Sequence, residues 1–422
     1  MTYKKITLNN RLRIILVPIK DSLSSTILIL VKVGSFLERK SNAGISHFLE
    51  HLAFKGTKKY PSPLKLALEF EKIGAAYNAF TSEEYTGYWI KVQNKFLARA
   101  LELISELYLN PVFSKSDLEK ERKVIIEEIN MYEDMPEYKV DDVFLSLMYG
   151  DQPIGYPVIG FKETVEKISQ NELLEFRKRN YIPQKTVVAV AGALSEDILI
   201  QIKSKFSLRK VKSRRFSYRL HSNLIPKSRV KIETRPTHQS HLVFGYPAFS
   251  LFDRRRYILE VLSGVLGAGM SSRLFQVVRE KMGAAYYVSS SVSLFSKHGM
   301  FTISAGVDNK RIERVILAIV KEIDRIKKYR VSERELQKVK NYLIGNLYLR
   351  LERSNDWAGF YARTELMENK IKSPEQVARE IEKVNSEQIR KLANQIFRKK
   401  ESRLAIVGPF KDEKIFTKLI AG

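Results

Sequence analysis

The chain has 422 residues, which is long enough for two domains, and its 44% hydrophobic and 28% charged residues are typical of a soluble globular protein. It contains no cysteine, which excludes disulfides and thiolate metal ligands and leaves histidine and carboxylate side chains for any metal site. The formal net charge of +26 is large, but no nucleic-acid-binding motif accompanies it. We therefore predict no nucleic-acid partner.

The N-terminal residues lack the apolar core and the small-residue cleavage site of a signal peptide. No apolar run reaches the roughly 18 residues that a membrane-spanning helix needs. An absence of cysteine suits a reducing compartment. The sequence therefore predicts a cytoplasmic protein with no membrane partner.

Strands are predicted near the N-terminus, where β-branched and aliphatic residues dominate residues 5–8, 12–17 and 26–33. The elements predicted after them are a helix from about Ser46, a helix over 64–73, paired strands over 77–92, helices over 96–109, 114–131, 138–149 and 171–179, and a strand over 186–191.

One of these helices carries the pattern His-x-x-Glu-His. A helical conformation places His47 and His51 on one face, four residues apart, together with Glu50. Two imidazoles at this spacing can bind one zinc ion at about 2.0–2.1 Å each. Glu50 is then placed to take a proton from a water molecule on that ion. The short pattern also fits a helix with two surface histidines, so the interpretation depends on a third ligand.

A candidate third ligand lies in residues 119–129, which form a predicted helix with an apolar stripe. Glu121 and Glu128 lie seven residues apart and therefore share a face, whereas Glu127 is rotated by about 100° from Glu128. A helix of this kind can present a carboxylate to two distant histidines. Taken alone, the pattern is equally typical of a solvated acidic face.

Together these residues resemble the pitrilysin–insulinase–mitochondrial processing peptidase family of zinc metallopeptidases. The resemblance rests on His47-Phe-Leu-Glu50-His51, on Ala53-Phe-Lys-Gly-Thr57 after it, and on Glu121-Arg-x-Val-Ile-x-x-Glu128. It implies that His47, His51 and Glu128 bind one zinc ion per chain. It also implies that Glu50 is the general base and that Glu121 is a carboxylate behind the ligands.

The same resemblance extends to Asn78-Ala79-x-Thr81-x-x-Glu84, which is similar to the family's edge strand. In the family, substrate backbone adds to this edge as an extra strand. The resemblance therefore implies that Asn78, Ala79, Thr81 and Glu84 contact a peptide substrate. It further implies an α+β fold of two duplicated domains, each a mostly antiparallel sheet packed with helices.

The second half of the chain repeats the first at an offset of about half the chain length. Residues 167–192 match residues 383–408 without a gap, and Gly74-Ala-Ala-Tyr77 is echoed by Gly283-Ala-Ala-Tyr286. Several matches at a similar offset predict a duplicated domain of about 200 residues.

The duplicate lacks the metal-binding residues. The alignment places Val339 opposite Glu121 and Asn346 opposite Glu128, and residues 259–269, opposite the histidine motif, contain no histidine. One half of the chain is therefore predicted to hold the metal chemistry.

Arg279 and Tyr286 lie seven residues apart in this metal-free half. They resemble an Arg/Tyr pair that faces the zinc across a chamber in the family. The resemblance implies that they bind the substrate carbonyl and stabilise the tetrahedral intermediate. The alternative is that Arg279 is a surface residue and Tyr286 a core aromatic.

We predict a zinc-bearing catalytic domain over residues 1–210, a basic linker over 211–228, and a metal-free domain over 229–422. The family's folds imply four repeats around a chamber. A chain with two repeats is therefore predicted to need a partner, either a second copy in a homodimer or a related chain in a heterodimer.

The resulting functional prediction is a zinc metalloendopeptidase that cleaves unfolded peptides or leader segments inside an enclosed chamber. The alternative is a non-catalytic structural or assembly subunit of the same fold. The complete set of zinc-site residues favours the enzyme. A nucleic-acid-binding role has only the net charge in its favour.

Overall fold

A computed structural model of the protein describes residues 2–207, 218 and 220–421. Its strands are β1 (Lys4–Thr7), β2 (Arg13–Pro18), β3 (Ser24–Val31), β4 (Ala76–Thr81), β5 (Thr86–Gln93), β6 (Thr186–Gly192), β7 (Val230–Thr234), β8 (Gln239–Ala248), β9 (Ala285–Leu294), β10 (Gly299–Asp308) and β11 (Arg403–Gly408).

The helices of the N-terminal half are α1 (Ile45–Ala53), α2 (Pro63–Glu71), α3 (Leu97–Leu109), α4 (Lys115–Asp134), α5 (Pro136–Tyr149), α6 (Lys162–Val165), α7 (Gln170–Asn180) and α8 (Ile198–Phe206). Those of the C-terminal half are α9 (Arg256–Gly267), α10 (Ile312–Lys328), α11 (Glu333–Leu349), α12 (Ser354–Glu368), α13 (Pro374–Glu382), α14 (Ser386–Ile396) and α15 (Glu413–Ala421), with a π-helical segment at Phe275–Lys281. The elements predicted from the sequence are present, with ends shifted by a few residues.

The chain divides into two compact units, and both are discontinuous in sequence. Unit 1 comprises Met1–Ile129, Pro157–Tyr218 and Leu349–Ser373, and unit 2 comprises Asn130–Tyr156, Arg219–Tyr348 and Pro374–Gly422. These units differ from the linear boundaries predicted from the sequence, because each contains one helical segment from the other half of the chain. Of the predicted linker, residues 211–217 and 219 lie outside the described residues, and Ser222–Leu224 forms one 3-10 turn.

The sheet of unit 1 has the strand order β1-β2-β6-β3-β5-β4. Its pairs are antiparallel except for β2 with β6. Strand β6 is buried along its whole length, and the core on the sheet includes Phe48, Phe70 and Ile104. Strand β4 lies at the edge of the sheet and pairs only with β5 among the described strands.

The sheet of unit 2 has the order β7-β11-β8-β10-β9. Its pairs are also antiparallel except for one, between β7 and β11. This order repeats that of β2, β6, β3, β5 and β4 in unit 1, so the two sheets share both strand order and strand direction. The fold is therefore a duplicated α+β architecture with mostly antiparallel sheets, as predicted.

The repeat extends to the way corresponding helices begin. At the start of α7, Ser169 accepts the N–H of Glu172, whose carboxylate accepts the N–H of Ser169 in return. At the start of α14, Asn385 and Gln388 form the same reciprocal pair. Such capping boxes satisfy backbone donors that the helix itself leaves unpaired.

Helix α12 belongs to unit 1 although it lies in the C-terminal half of the sequence. Its Glu365 is fully buried and forms ion pairs with Lys5 at 2.7 Å and Arg13 at 3.6 Å. Its Ser354 hydrogen-bonds Thr26 of β3 at 2.8 Å. These contacts tie α12 to the sheet of unit 1, because a buried carboxylate is strongly unfavourable without cationic partners.

Helix α5 correspondingly packs on the sheet of unit 2, against β11 and β8. The ring of Phe144 lies so close to β8 that a Cβ atom at Gly245 would come within 2.6 Å of it. Glycine at this strand position therefore makes room for the helix. No helix in the described part of the chain is long and apolar enough to cross a membrane.

Candidate metal centre

Helix α1 begins at a backbone turn that favours glycine. Gly44 has a φ of 94°, and a Cβ atom there would lie 2.5 Å from the carbonyl oxygen of Ile159. The buried side chain of Glu38 accepts the N–H groups of Gly44 at 2.7 Å and Ser46 at 2.8 Å. It thereby supplies acceptors for backbone N–H groups that the first turn of a helix leaves unpaired.

Burial raises the pKa of the Glu38 carboxyl to about 7, although the N–H donors of Gly44 and Ser46 act against that rise. The start of α1 is therefore held by a carboxylate that lies six residues before Gly44 in sequence. The two hydrogen bonds of Glu38 hold the first turn of α1, the helix that carries His47 and His51, in place.

The two faces of α1 have opposite character. Phe48, Leu49 and Leu52 are buried in the core of unit 1. His47 and His51 project from the other side, with 12% and 21% of their side chains exposed. Their rings lie 4.6 Å apart between centroids. The helical spacing predicted from the sequence thus places both imidazoles beside each other.

Helix α4 brings two carboxylates to these imidazoles. Glu121 is buried, whereas a quarter of the Glu128 side chain is exposed, and Ile125 between them packs into the core. Glu128 Oε2 lies 3.7 Å from His47 Nε2 and 3.4 Å from His51 Nε2. In the described part of the chain, His47, His51 and Glu128 are the group of ligand-type side chains whose donor atoms lie within 4.8 Å of one another.

This donor set fits a metal ion. Two imidazoles and one carboxylate form one of the ligand sets of catalytic zinc sites, in which bonds of about 2.0–2.1 Å place tetrahedral donors roughly 3.3 Å apart. The two separations between Glu128 and the imidazole nitrogens are close to that value. The structure therefore brings together the three residues that were predicted from the sequence as ligands.

The protonation of the two histidines differs. Burial, followed by the neighbouring His51, lowers the pKa of His47 to about 4, so its imidazole is neutral and has a free lone pair. Burial also acts to lower the pKa of His51, but hydrogen bonds to Glu121 and Glu128 outweigh it and raise the value to about 9. A metal ion bound by Glu128 and both imidazoles would displace that proton.

Glu50 lies on the same helix and faces the edge strand. Thr81 Oγ1 donates a hydrogen bond of 2.6 Å to Glu50 Oε2. Burial raises the pKa of Glu50, while this hydrogen bond acts in the opposite direction. A carboxylate with a raised pKa, held beside a candidate metal centre, is suited to accept a proton.

Glu121 contacts His51 from behind. His51 Nδ1 lies 3.2 Å from Glu121 Oε2, and Lys55 Nζ lies 2.5 Å from Glu121 Oε1. Burial acts to raise the pKa of Glu121, but its bonds to His51 and Lys55 outweigh that effect and lower it. The geometry is that of a carboxylate orienting an imidazole whose other nitrogen is free to bind a metal.

The residues predicted to contact substrate are divided between a strand and a turn. Asn78 and Phe80 of β4 are exposed, Ala79 is buried and Thr81 is half-buried. Strand β4 ends at Thr81, so Glu84 lies in the turn before β5 and not on the edge strand. Its side chain is buried and accepts a hydrogen bond of 3.3 Å from Tyr218, because the turn folds the carboxylate back into unit 1.

Arg279 and Tyr286 both belong to unit 2. Arg279 lies on the π-helical segment with its guanidinium 4.9 Å from the ring centre of Phe275. Tyr286 is 63% exposed at the start of the edge strand β9. Tyr286 is therefore not a core aromatic, and the role of both residues at the zinc stays a prediction.

The counterpart of α4 in unit 2 is α11. Val339 is buried against Gly264, and Asn346 donates a hydrogen bond to the carbonyl of Tyr342 on its own helix. Neither side chain is a metal ligand of the kind present in unit 1. Among the described residues, unit 2 has no group of histidines and carboxylates comparable to that of unit 1.

Glu38 and Lys55 are functional residues that were not predicted from the sequence. Lys55 follows His51 by four residues, a spacing that places it one turn further along the same side and could have suggested a shared partner. Glu38 gave no such signal, because it lies outside the helix whose first turn it binds.

Comparison with known proteins agrees with this architecture. Residues 13–162 match the family described as Insulinase (Peptidase family M16), and residues 167–343 match the Peptidase M16 inactive domain. An uncharacterized zinc protease of Bacillus subtilis is 34% identical over 406 residues, spanning 96% of this chain and 98% of that protein. An uncharacterized zinc protease of Mycobacterium leprae is 33% identical over 413 residues, which span 97% of this chain and 92% of that protein.

A solved structure described as a protease from Helicobacter pylori has the same fold, with a TM-score of 0.89 at 24% identity over 97% of this chain and 99% of that one. A peptidase M16 inactive domain from Pseudomonas fluorescens gives a TM-score of 0.88 at 18% identity, covering 97% of this chain and 99% of that chain. The chain belongs to the insulinase family of peptidases, family M16. The resemblance seen in the sequence is confirmed.

Proposed function

We propose that the protein is a zinc-dependent endopeptidase that binds one Zn²⁺ per chain at His47, His51 and Glu128. The observation that carries this proposal is the convergence of two imidazole nitrogens and one carboxylate oxygen from α1 and α4. Relatives that span nearly the whole chain and are named zinc proteases support it.

A zinc ion at this position would polarise the scissile carbonyl and acidify a water molecule toward a pKa of about 7. Glu50 takes a proton from the attacking water as the water oxygen bonds to the carbonyl carbon. It then delivers that proton to the amide nitrogen as the carbon–nitrogen bond breaks. Thr81 holds Glu50 through Oε2, and the carboxylate keeps further acceptor sites for the proton.

The peptide would bind along β4, because an edge strand offers unpaired backbone groups to an extended chain. Asn78 Oδ1 accepts the N–H of Ala79 at 2.8 Å, so a substrate carbonyl that reached this N–H would replace the Asn78 side chain. Thr81 at the end of the strand contacts Glu50. This arrangement supports an extended, unfolded peptide or leader segment as substrate.

A partner chain is part of the proposal. We infer that a second copy of the chain, or a related chain, encloses the substrate in a chamber and supplies Arg279 and Tyr286 to the zinc site. The exposure of both side chains supports their availability for such a contact.

The test is cleavage of a quenched, unstructured peptide by the purified protein alone, with and without a chelator, beside the variant Glu50→Gln. Chelator-sensitive cleavage that Glu50→Gln lacks is expected. Removing a general base lowers rates typically by about 10²–10⁴-fold. If zinc is bound but no peptide is cleaved, a partner chain is required. Neither cleavage nor bound zinc would overturn the proposal and favour a structural or assembly subunit.

A further inference from the structure

Glu121 uses both oxygens of its buried carboxylate. Oε2 faces His51 Nδ1 at 3.2 Å, and Oε1 faces Lys55 Nζ at 2.5 Å. Only 7% of the Glu121 side chain is exposed, compared with 26% of Lys55. A carboxylate this deeply buried needs partners for each oxygen, because an unpaired charge in the interior is strongly unfavourable.

Lys55 is well placed to hold this carboxylate. It lies just beyond the end of α1, four residues after His51, and both side chains contact Glu121 of α4. The neighbouring cation on α4, Arg122, is directed elsewhere and bonds Glu119 and the carbonyls of Val165 and Ile168. Lys55 is the lysine or arginine that pairs with Glu121 in the described part of the chain.

We propose that Lys55 is a positioning residue of the metal centre, which fixes Glu121 so that Glu121 can orient His51. The inference rests on the proposed zinc site. Holding Oε1 stops the carboxylate from rotating about its last bond, and Oε2 therefore stays opposite His51 Nδ1. The imidazole in turn keeps Nε2 directed at Glu128. Among the described residues, no hydrogen bond or ion pair joins Lys55 to His47, His51 or Glu128.

The sign of the effect distinguishes this role from simple electrostatics. A lysine near a bound cation repels it, so removing the charge would strengthen zinc binding if Coulomb repulsion dominated. Positioning through Glu121 has the opposite consequence. Loss of a partner that orients a metal ligand typically weakens affinity by about 10–100-fold.

The experiment measures the zinc dissociation constant of the full-length protein by competition with a chelator. Lys55→Met, which keeps most of the length of the side chain but removes the charge, is expected to raise this dissociation constant by about 10–100-fold. Lys55→Arg keeps the cation and is expected to stay near wild type. Lys58→Met is the matched control, since Lys58 is exposed three residues further along. Thermal unfolding of the zinc-free proteins shows whether each variant is folded. Lys55→Gln also removes the charge and is measured as a second variant in case Lys55→Met does not fold.

A double-mutant cycle tests the route of the effect. In a Glu121→Gln background, Lys55→Met is expected to weaken zinc binding no further, because the residue through which Lys55 acts is already lost. Additive effects would overturn the inference, as would a Lys55→Met or Lys55→Gln variant that binds zinc as tightly as wild type or more tightly. Failure of the wild-type protein to bind zinc overturns the proposed function itself and is a separate, recognisable outcome.

Discussion

Thr81 Oγ1 donates a hydrogen bond of 2.6 Å to Glu50 Oε2. Thr81 is the last residue of the edge strand β4, and Glu50 lies on α1 between the two histidines. The strand proposed to bind substrate and the carboxylate proposed to move the proton are therefore in direct contact. A peptide aligned along β4 would be positioned relative to Glu50 by this bond.

We expect Thr81→Val to lower kcat by roughly tenfold or more, because Glu50 would no longer be held in place for proton transfer. Valine keeps the shape of threonine, so KM should change little. Thr81→Ser retains the hydroxyl and should restore most of kcat. Steady-state kinetics with a quenched peptide measure both constants. An equal loss of kcat in the valine and serine variants would show that the hydroxyl group of Thr81 does not contribute to catalysis.

Zinc binding should depend on Glu128 and not on the residue beside it. Glu128→Gln removes a proposed ligand and should weaken zinc binding strongly. The expected loss of affinity exceeds the roughly 10–100-fold that is typical when a residue hydrogen-bonded to a metal ligand is removed. Glu127 is exposed and lies about 100° around the helix from Glu128, so Glu127→Gln should leave affinity unchanged. Chelator competition and metal analysis after dialysis measure both variants. Similar behaviour of the two would contradict the ligand assignment.

The stability of the zinc-free protein should fall as pH rises through the titration of Glu38. Its pKa is raised from 4.5 to about 7 by burial, so the folded state holds a proton that the unfolded chain releases. The free energy of unfolding is therefore expected to decrease between about pH 4.5 and about pH 7, by on the order of 3 kcal/mol from this group.

Glu38→Gln removes this titration and should flatten that part of the pH dependence. Urea unfolding of the wild type and the variant across the same pH range provides the comparison. Glu71→Gln, at an exposed position on α2, is the control and should follow the wild type. An unchanged slope in Glu38→Gln would mean that Glu38 does not titrate as its burial indicates.

If Tyr286 acts in the zinc site of a partner chain, mixing two inactive variants should restore activity. Glu50→Gln lacks the base, and Tyr286→Phe lacks the phenolic hydroxyl. A mixed dimer would contain one site with the base from one chain and the tyrosine from the other. Peptide cleavage by the mixture measures this. Glu50→Gln mixed with Glu128→Gln is the control, since both changes disable the same half of each site and no intact site can form.

Helical periodicity made the ligand residues predictable. The spacing of His47 and His51 places two imidazoles on one face of any α-helix, and the seven-residue spacing of Glu121 and Glu128 does the same for two carboxylates. The structure adds that Glu128 meets both imidazole nitrogens while Glu121 stands behind His51. Which carboxylate takes which position depends on how α4 packs against α1. The spacing alone does not contain that information.

The duplication was also predictable from the sequence, because segments repeated at a similar offset indicate repeated strands and helices. Strand order and even the capping boxes of α7 and α14 follow it. The exchange of α5 and α12 between the units was not readable. The sequence of an amphipathic helix indicates that one face is buried, but it does not indicate which sheet packs against that face.

The sequence by itself determined the duplication, the strands and helices of each half, and the residue types that can hold a metal. The helices, strands and ligand spacing follow from local backbone geometry, which is set within a few residues. The duplication follows from the repetition of whole segments. Only the tertiary structure decided that Glu38 binds the start of α1, that Thr81 contacts Glu50, and that Lys55 holds Glu121. Such contacts join elements distant in the chain, and their geometry arises when the cores pack.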